Sequence, residues 1–124
     1  MLRRLVPALS LLVPALALAQ GVGLNTISKV EVKGRSIEIT GTKKPNFTTF
    51  TMTDPPRLVI DISEAVFAGV PDEMQVGNGT VTAIKTASYG SDASAIARVL
   101  IGFEKELETD IQSSGSKLVI KVSG

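Results

Sequence analysis

The two side chains whose type and placement most invite binding chemistry are Arg57 and Arg98. Each opens an alternating run and lies on the face opposite the aliphatic row. Arg57 shares its face with Val59 and Asp61, while Leu58, Ile60 and Ile62 point the other way. Arg98 likewise opposes Val99, Ile101 and Phe103. An arginine fork suits a carboxylate, on a peptide or on a partner's acidic side chain. The plain structural alternative pairs Arg57 with Asp61 two steps along one face, or lays either arginine stem over apolar surface. Thr49 and Thr51, in a row with Thr53, offer hydroxyls to a glycan, although threonine is also simply a good strand former. The candidate ligand-binding set is therefore Arg57, Arg98, Asp61, Thr49 and Thr51.

Catalytic chemistry has few means here. The chain has no histidine and no cysteine, so the commonest acid–base groups, nucleophiles and transition-metal ligands are missing. Acids are plentiful, and Asp54, Asp61, Asp72, Glu73, Asp92, Glu104, Glu106 and Glu108 are the material for a glycosidase pair. Most of them fall in turns or on outward faces, and so small a chain offers little depth for a cleft. No phosphate loop, dinucleotide fingerprint, calcium loop or zinc spacing is present. The expectation is a protein that is not an enzyme and uses no cofactor and no metal. Asn46-Phe47-Thr48 and Asn78-Gly79-Thr80 fit the glycosylation sequon, a pattern short enough to arise by chance.

The elements that hold the candidates read as strands. Asp54-Pro55-Pro56 is a stiff turn that no helix can cross, and it feeds directly into Arg57-Leu58-Val59-Ile60-Asp61-Ile62. Before it, Ile27 to Lys33 and Arg35 to Thr42 alternate around a Gly34 corner, as a hairpin would. Phe47 to Thr53 alternates too, with Phe50 and Met52 facing one way and the threonines the other. Residues 64–79, broken by Gly69, Pro71, Gly77 and Gly79, read as a connection with one or two short strands that carries Phe67 onto the core. Strand character resumes from Thr80 to Ser88, from Arg98 to Glu104, from Thr109 to Ser113 and from Lys117 to Val122.

The amino terminus is of another kind. Arg3 and Arg4, an apolar run from Leu5 to Leu16 and the small-x-small Ala17-Leu18-Ala19 have the layout of a cleaved signal peptide. The run is shorter than the roughly 20 residues that span a bilayer, and Pro7 and Pro14 interrupt it. The expected division is a signal peptide over residues 1–19, a flexible segment over 20–25 and one β-domain over 26–124. Export to the periplasm follows, with contact to the membrane only through the uncleaved signal peptide. Removing Arg3 and Arg4 leaves 11 basic residues of the original 13 against 12 acids. A near-neutral balance argues against nucleic acid as a partner. Without cysteine an exported domain must rely on its core alone, and lipid attachment at a processed cysteine is excluded.

The chain repeats itself. Lys117-Leu118-Val119-Ile120-Lys121-Val122-Ser123 echoes Arg57-Leu58-Val59-Ile60-Asp61-Ile62-Ser63, and Thr26-Ile27-Ser28-Lys29-Val30 matches Thr80-Val81-Thr82-Ala83-Ile84. Residues 26–63 and 80–123 read as two copies of a four-strand unit, although valine- and threonine-rich β-proteins also yield such matches by composition. The predicted fold is all-β, a small sandwich of two similar, mainly antiparallel sheets.

The Asp54-Pro55-Pro56-Arg57-Leu58-Val59-Ile60-Asp61-Ile62 core, with Ala97-Arg98-Val99-Leu100-Ile101 and Leu118-Val119-Ile120, resembles the AMIN domain. That family occurs at the N-terminus of type IV pilus secretins and of periplasmic N-acetylmuramoyl-L-alanine amidases. The resemblance implies a β-sandwich and a role in placing envelope proteins on peptidoglycan. Because neither an amidase nor a secretin domain follows Gly124, the expectation is a free-standing module that acts by binding alone. Its expected partner is peptidoglycan. The alternative is an envelope protein of the pilus, secretin or division machinery, met through a sheet edge.

Overall fold

A computed structural model describes residues 23–123 of the chain. The expected signal peptide lies outside the described residues. Eleven strands follow in order: β1 (Asn25–Ile27), β2 (Lys29–Lys33), β3 (Ser36–Thr40), β4 (Phe47–Met52), β5 (Arg57–Ser63), β6 (Ala65–Phe67), β7 (Glu73–Gln75), β8 (Val81–Tyr89), β9 (Ile96–Phe103), β10 (Glu108–Ser114) and β11 (Lys117–Ser123). A single 3-10 turn, Asp92–Ser94, precedes β9. The alanines at 93, 95 and 97, which favour helix on propensity alone, form no α-helix because the alternation of β9 dominates.

The strands form a four-stranded sheet in the order β10-β11-β3-β2 and a five-stranded sheet in the order β4-β5-β9-β8-β7, both antiparallel. Their inner faces make one core. Val30, Ile37, Ile39, Leu118, Ile120 and Val122 from the first sheet pack with Leu58, Ile60, Ile62, Ile84, Val99, Ile101 and Phe103 from the second. Phe67 packs against this cluster from the connecting segment, as the sequence predicts. Each fully buried isoleucine contributes roughly 1.5–3 kcal/mol by leaving water.

Exchange of the two sequence halves explains this layout. Each half sends its first hairpin into one sheet and its second into the other, so the order β10-β11-β3-β2 becomes β4-β5-β9-β8 when the halves are swapped. Register agrees with order. Ile39 faces Leu118 and Ile37 faces Ile120 just as Ile101 faces Leu58 and Val99 faces Ile60. Val30 faces Ile39 as Ile84 faces Ile101. By this register the counterpart of Arg98 is Ser36.

The structure divides the strand expected from Ile27 to Lys33. Strand β2 begins only at Lys29, and Ile27 instead ends β1, which pairs in parallel with β6. Asn25 anchors β1. Its Oδ1 accepts hydrogen bonds from the backbone N–H groups of Thr42 (2.9 Å) and Lys43 (3.1 Å), and its Nδ2 donates to the Lys43 carbonyl at 3.2 Å. The side chain is buried with its bonding capacity used, which ties the start of the domain to the loop before β4. Asn25, at the boundary expected between the flexible segment and the domain, lies in β1.

Candidate functional site

The outer face of the five-stranded sheet collects the candidate chemistry. Strand register lays its outward residues in rows running from β4 across to β7. One row is Phe50, Val59, Leu100, Lys85 and Glu73, and the next is Thr48, Asp61, Arg98 and Ala87. Met52, Arg57 and Gly102 lie below the first row, and Ser63, Ile96 and Tyr89 above the second.

Arg98 lies at the centre of this face. It sits directly across from Asp61, donating from Nε to Oδ1 at 2.8 Å and from Nη2 to Oδ2 at 3.0 Å. These bonds hold the guanidinium above its ordinary range, against the opposing effect of partial burial. A ring stands on either side of it. Its central carbon lies 5.0 Å from the Tyr89 ring centre and 5.8 Å from that of Phe50, within cation–π range. Phe50 and Tyr89 are 45% and 49% exposed, large values for aromatic residues, and Met52 is exposed two residues along β4 from Phe50. Val59 is almost completely buried yet belongs to this outer row and not to the inter-sheet core, so it forms part of an apolar floor.

Below the aromatic end lies a groove of about 480 Å³ floored by Leu100 and Gly102, with Arg57 and Pro55 on one wall and Glu73, Gln75 and Lys85 on the other. The Arg57 guanidinium donates to the Pro55 carbonyl at 2.7 Å and meets no carboxylate among the described residues. Asp61 pairs with Arg98, not with Arg57, because a directly opposite neighbour on the adjacent strand is nearer than a residue four positions along the same strand. Four strand positions separate Arg57 from Asp61, so the arginines share one face about 13 Å apart.

Thr49 and Thr51 do not join them. They face Ile60 and Leu58 across the β4–β5 ladder and so belong to the opposite side of the sheet. There they remain exposed because β4 is the edge strand. Thr51 meets Arg57 only at the rim of a cleft of about 120 Å³ at the end of the sandwich, shared with Phe103, Glu106 and Leu107. Phe50 and Tyr89, which complete the arginine's surroundings, are absent from the candidates that sequence provides. Their signal was parity, since Phe50 alternates with the threonines and Tyr89 ends the β8 run on the outward phase.

The internal symmetry supplies a control for this face. With the halves superposed, the seats of Phe50, Leu100, Arg98 and Asp61 are held on the other sheet by Gln112, Glu38, Ser36 and Lys121. That second outer face is a charged surface on which Glu38 bridges Lys33 (3.3 Å) and Lys117 (3.2 Å). Equivalent backbone positions thus carry an aromatic and arginine surface on one side and a solvated one on the other, so the fold alone does not require the first.

The family model for the AMIN domain matches residues 26–122, nearly all of the described structure. The chain belongs to the AMIN domain family. AMIN domains are non-catalytic, peptidoglycan-binding periplasmic modules of amidases and secretins. Comparison with curated proteins finds no match. In this AMIN domain no group of side chains among the described residues is placed to hold a metal ion, and no described helix is long and apolar enough to cross a membrane.

Proposed function

We propose that the chain is an exported, non-catalytic module that contacts peptidoglycan through the outer face of the five-stranded sheet and helps localise cell-envelope machinery there. The observation that carries this reading is the Phe50–Arg98–Tyr89 cluster, exposed on one sheet, whose Phe50 and Arg98 seats are held on the other sheet by the polar Gln112 and Ser36. Flat aromatic rings suit the apolar faces of pyranose sugars. Arg98, neutralised by Asp61, keeps its remaining N–H groups for neutral acceptors such as sugar hydroxyls and amide carbonyls. Arg57 and Lys85, on opposite walls of the adjoining groove, suit carboxylates of the stem peptides. A single contact of this kind is weak, and retention depends on the repeating polymer.

Co-sedimentation with purified sacculi tests it. The wild type is expected to pellet, and an Arg57→Glu, Arg98→Glu variant with an unchanged circular dichroism spectrum is expected to stay in solution. Equal retention of the two proteins would remove these arginines from the site.

A further inference from the structure

Among the described residues the two sheets have four edges, and three of them are protected against pairing. Strand β2 carries Lys29, Glu31 and Lys33, and β10 carries Glu108 and Asp110. Strand β7 has only three residues, one of them Glu73. Charge and shortness are the usual devices that keep a sheet edge from recruiting another strand. Strand β4 has neither. Its six residues, Phe47-Thr48-Thr49-Phe50-Thr51-Met52, are uncharged, mostly exposed, free of proline and composed of good strand formers. The Ser63 N–H donates to the Asn46 carbonyl at 2.8 Å, which directs the even-numbered residues of β4 toward β5. Phe47, Thr49 and Thr51 therefore turn their N–H and C=O groups outward, away from the sheet.

We infer that this edge pairs with β4 of a second copy of the chain, antiparallel and centred on Thr49. The flanking sequence selects that occupant and that direction. Lys43 and Lys44 precede the strand and Asp54 follows it, all three exposed. Antiparallel pairing about Thr49 sets Thr49 against Thr49, Phe47 against Thr51 and Phe50 against Thr48. It also brings the lysine end of each strand beside Asp54 of the other. The same register matches outward backbone groups with outward backbone groups, as an antiparallel ladder requires. A parallel copy would set lysine against lysine. The contact is isologous and closes at two copies. It also joins the two Phe50–Arg98–Tyr89 faces side by side on one continuous sheet, although the pairing itself is independent of what those faces bind.

The test is the mass of the purified protein in solution as a function of concentration. The wild type is expected to pass from monomer to dimer below about 1 mM. Thr49→Lys, which places two lysines on the axis at an exposed position, is expected to remain monomeric with an unchanged melting temperature. Lys44→Asp and Asp54→Lys are each expected to weaken the dimer, and mixing the two variants to restore it. Because the chain has no cysteine of its own, Thr49→Cys provides a second readout. Facing residues of such a pair lie about 5.5 Å apart at Cα, within disulfide range. Mild oxidation is expected to give a covalent dimer from Thr49→Cys and not from Lys29→Cys on the β2 edge. A wild type that stays monomeric to 1 mM, a dimer that survives Thr49→Lys, or equal cross-linking at both edges would overturn the inference. So would a protein that is monomeric alone but loses a different protein partner through Thr49→Lys.

Discussion

Arg98 was legible as a candidate from its place in an alternating strand, and so was Asp61, yet their partnership was not. Pairing depends on which strands are neighbours and in what register, and alternation fixes neither. It fixes only the face, so each of Arg57 and Arg98 is expected opposite its own aliphatic row while Asp61 is matched along its own strand. The same limit hid Phe50, whose neighbours across the sheet alternation does not give, while Tyr89 falls in the turn expected after Ser88, and the structure extends β8 to include it. The Arg98–Asp61 pair is bidentate but partly exposed, with 34% and 19% of the two side chains accessible. A double-mutant cycle with Arg98→Ala and Asp61→Asn should therefore give a coupling of only about 1 kcal/mol in urea unfolding. Glu38 gives the counterpart on the other face. The hydrogen bond from Lys117, then that from Lys33, lowers its pKa. A lowered carboxylate stabilises the fold above its ordinary range, and that contribution is lost as pH falls through the lowered value. The melting temperature of the wild type should exceed that of Glu38→Gln at about pH 7, and the gap should close as the pH falls below the ordinary carboxylate range.

At the scale of elements, alternation and turn chemistry located the strands well, because a half-buried antiparallel strand leaves its period in the sequence. The departures occur where tertiary bonds override the local pattern. Asn25 holds β1 beside β6 and binds the loop at Thr42 and Lys43, a long-range contact with no periodic signature. The internal repeat yields a sharper expectation. Ile60 and Ile120 occupy equivalent seats, each with no exposed surface, facing Val99 and Ile37 respectively. Ile60→Ala and Ile120→Ala should each cost roughly 2–5 kcal/mol, with an unchanged urea m-value if folding remains two-state. A much smaller loss at one of them would show that the two halves bear the core unequally.

At the scale of the whole molecule, the echo between residues 57–63 and 117–123 announced two similar sheets, and the structure has them. What the echo did not announce is the exchange, by which each half contributes a hairpin to both sheets. That exchange matters for function because it holds the halves in one cooperative unit with two comparable outer faces. One is an ordinary charged surface and the other an aromatic and arginine surface above a groove. The family assignment gives this architecture a context in the cell envelope. On the proposed reading, the asymmetry between the faces marks the side on which this chain would make its contact.

The most direct test compares the two faces in one binding experiment. Sacculi are incubated with the wild type, with Phe50→Ala, Tyr89→Ala, and with Gln112→Ala, Lys121→Ala on the opposite sheet, and the pelleted fraction is measured. The account predicts that the aromatic variant loses most of its retention while the opposite-face variant pellets like the wild type. Equal retention of all three proteins, or loss confined to the opposite-face variant, would contradict it.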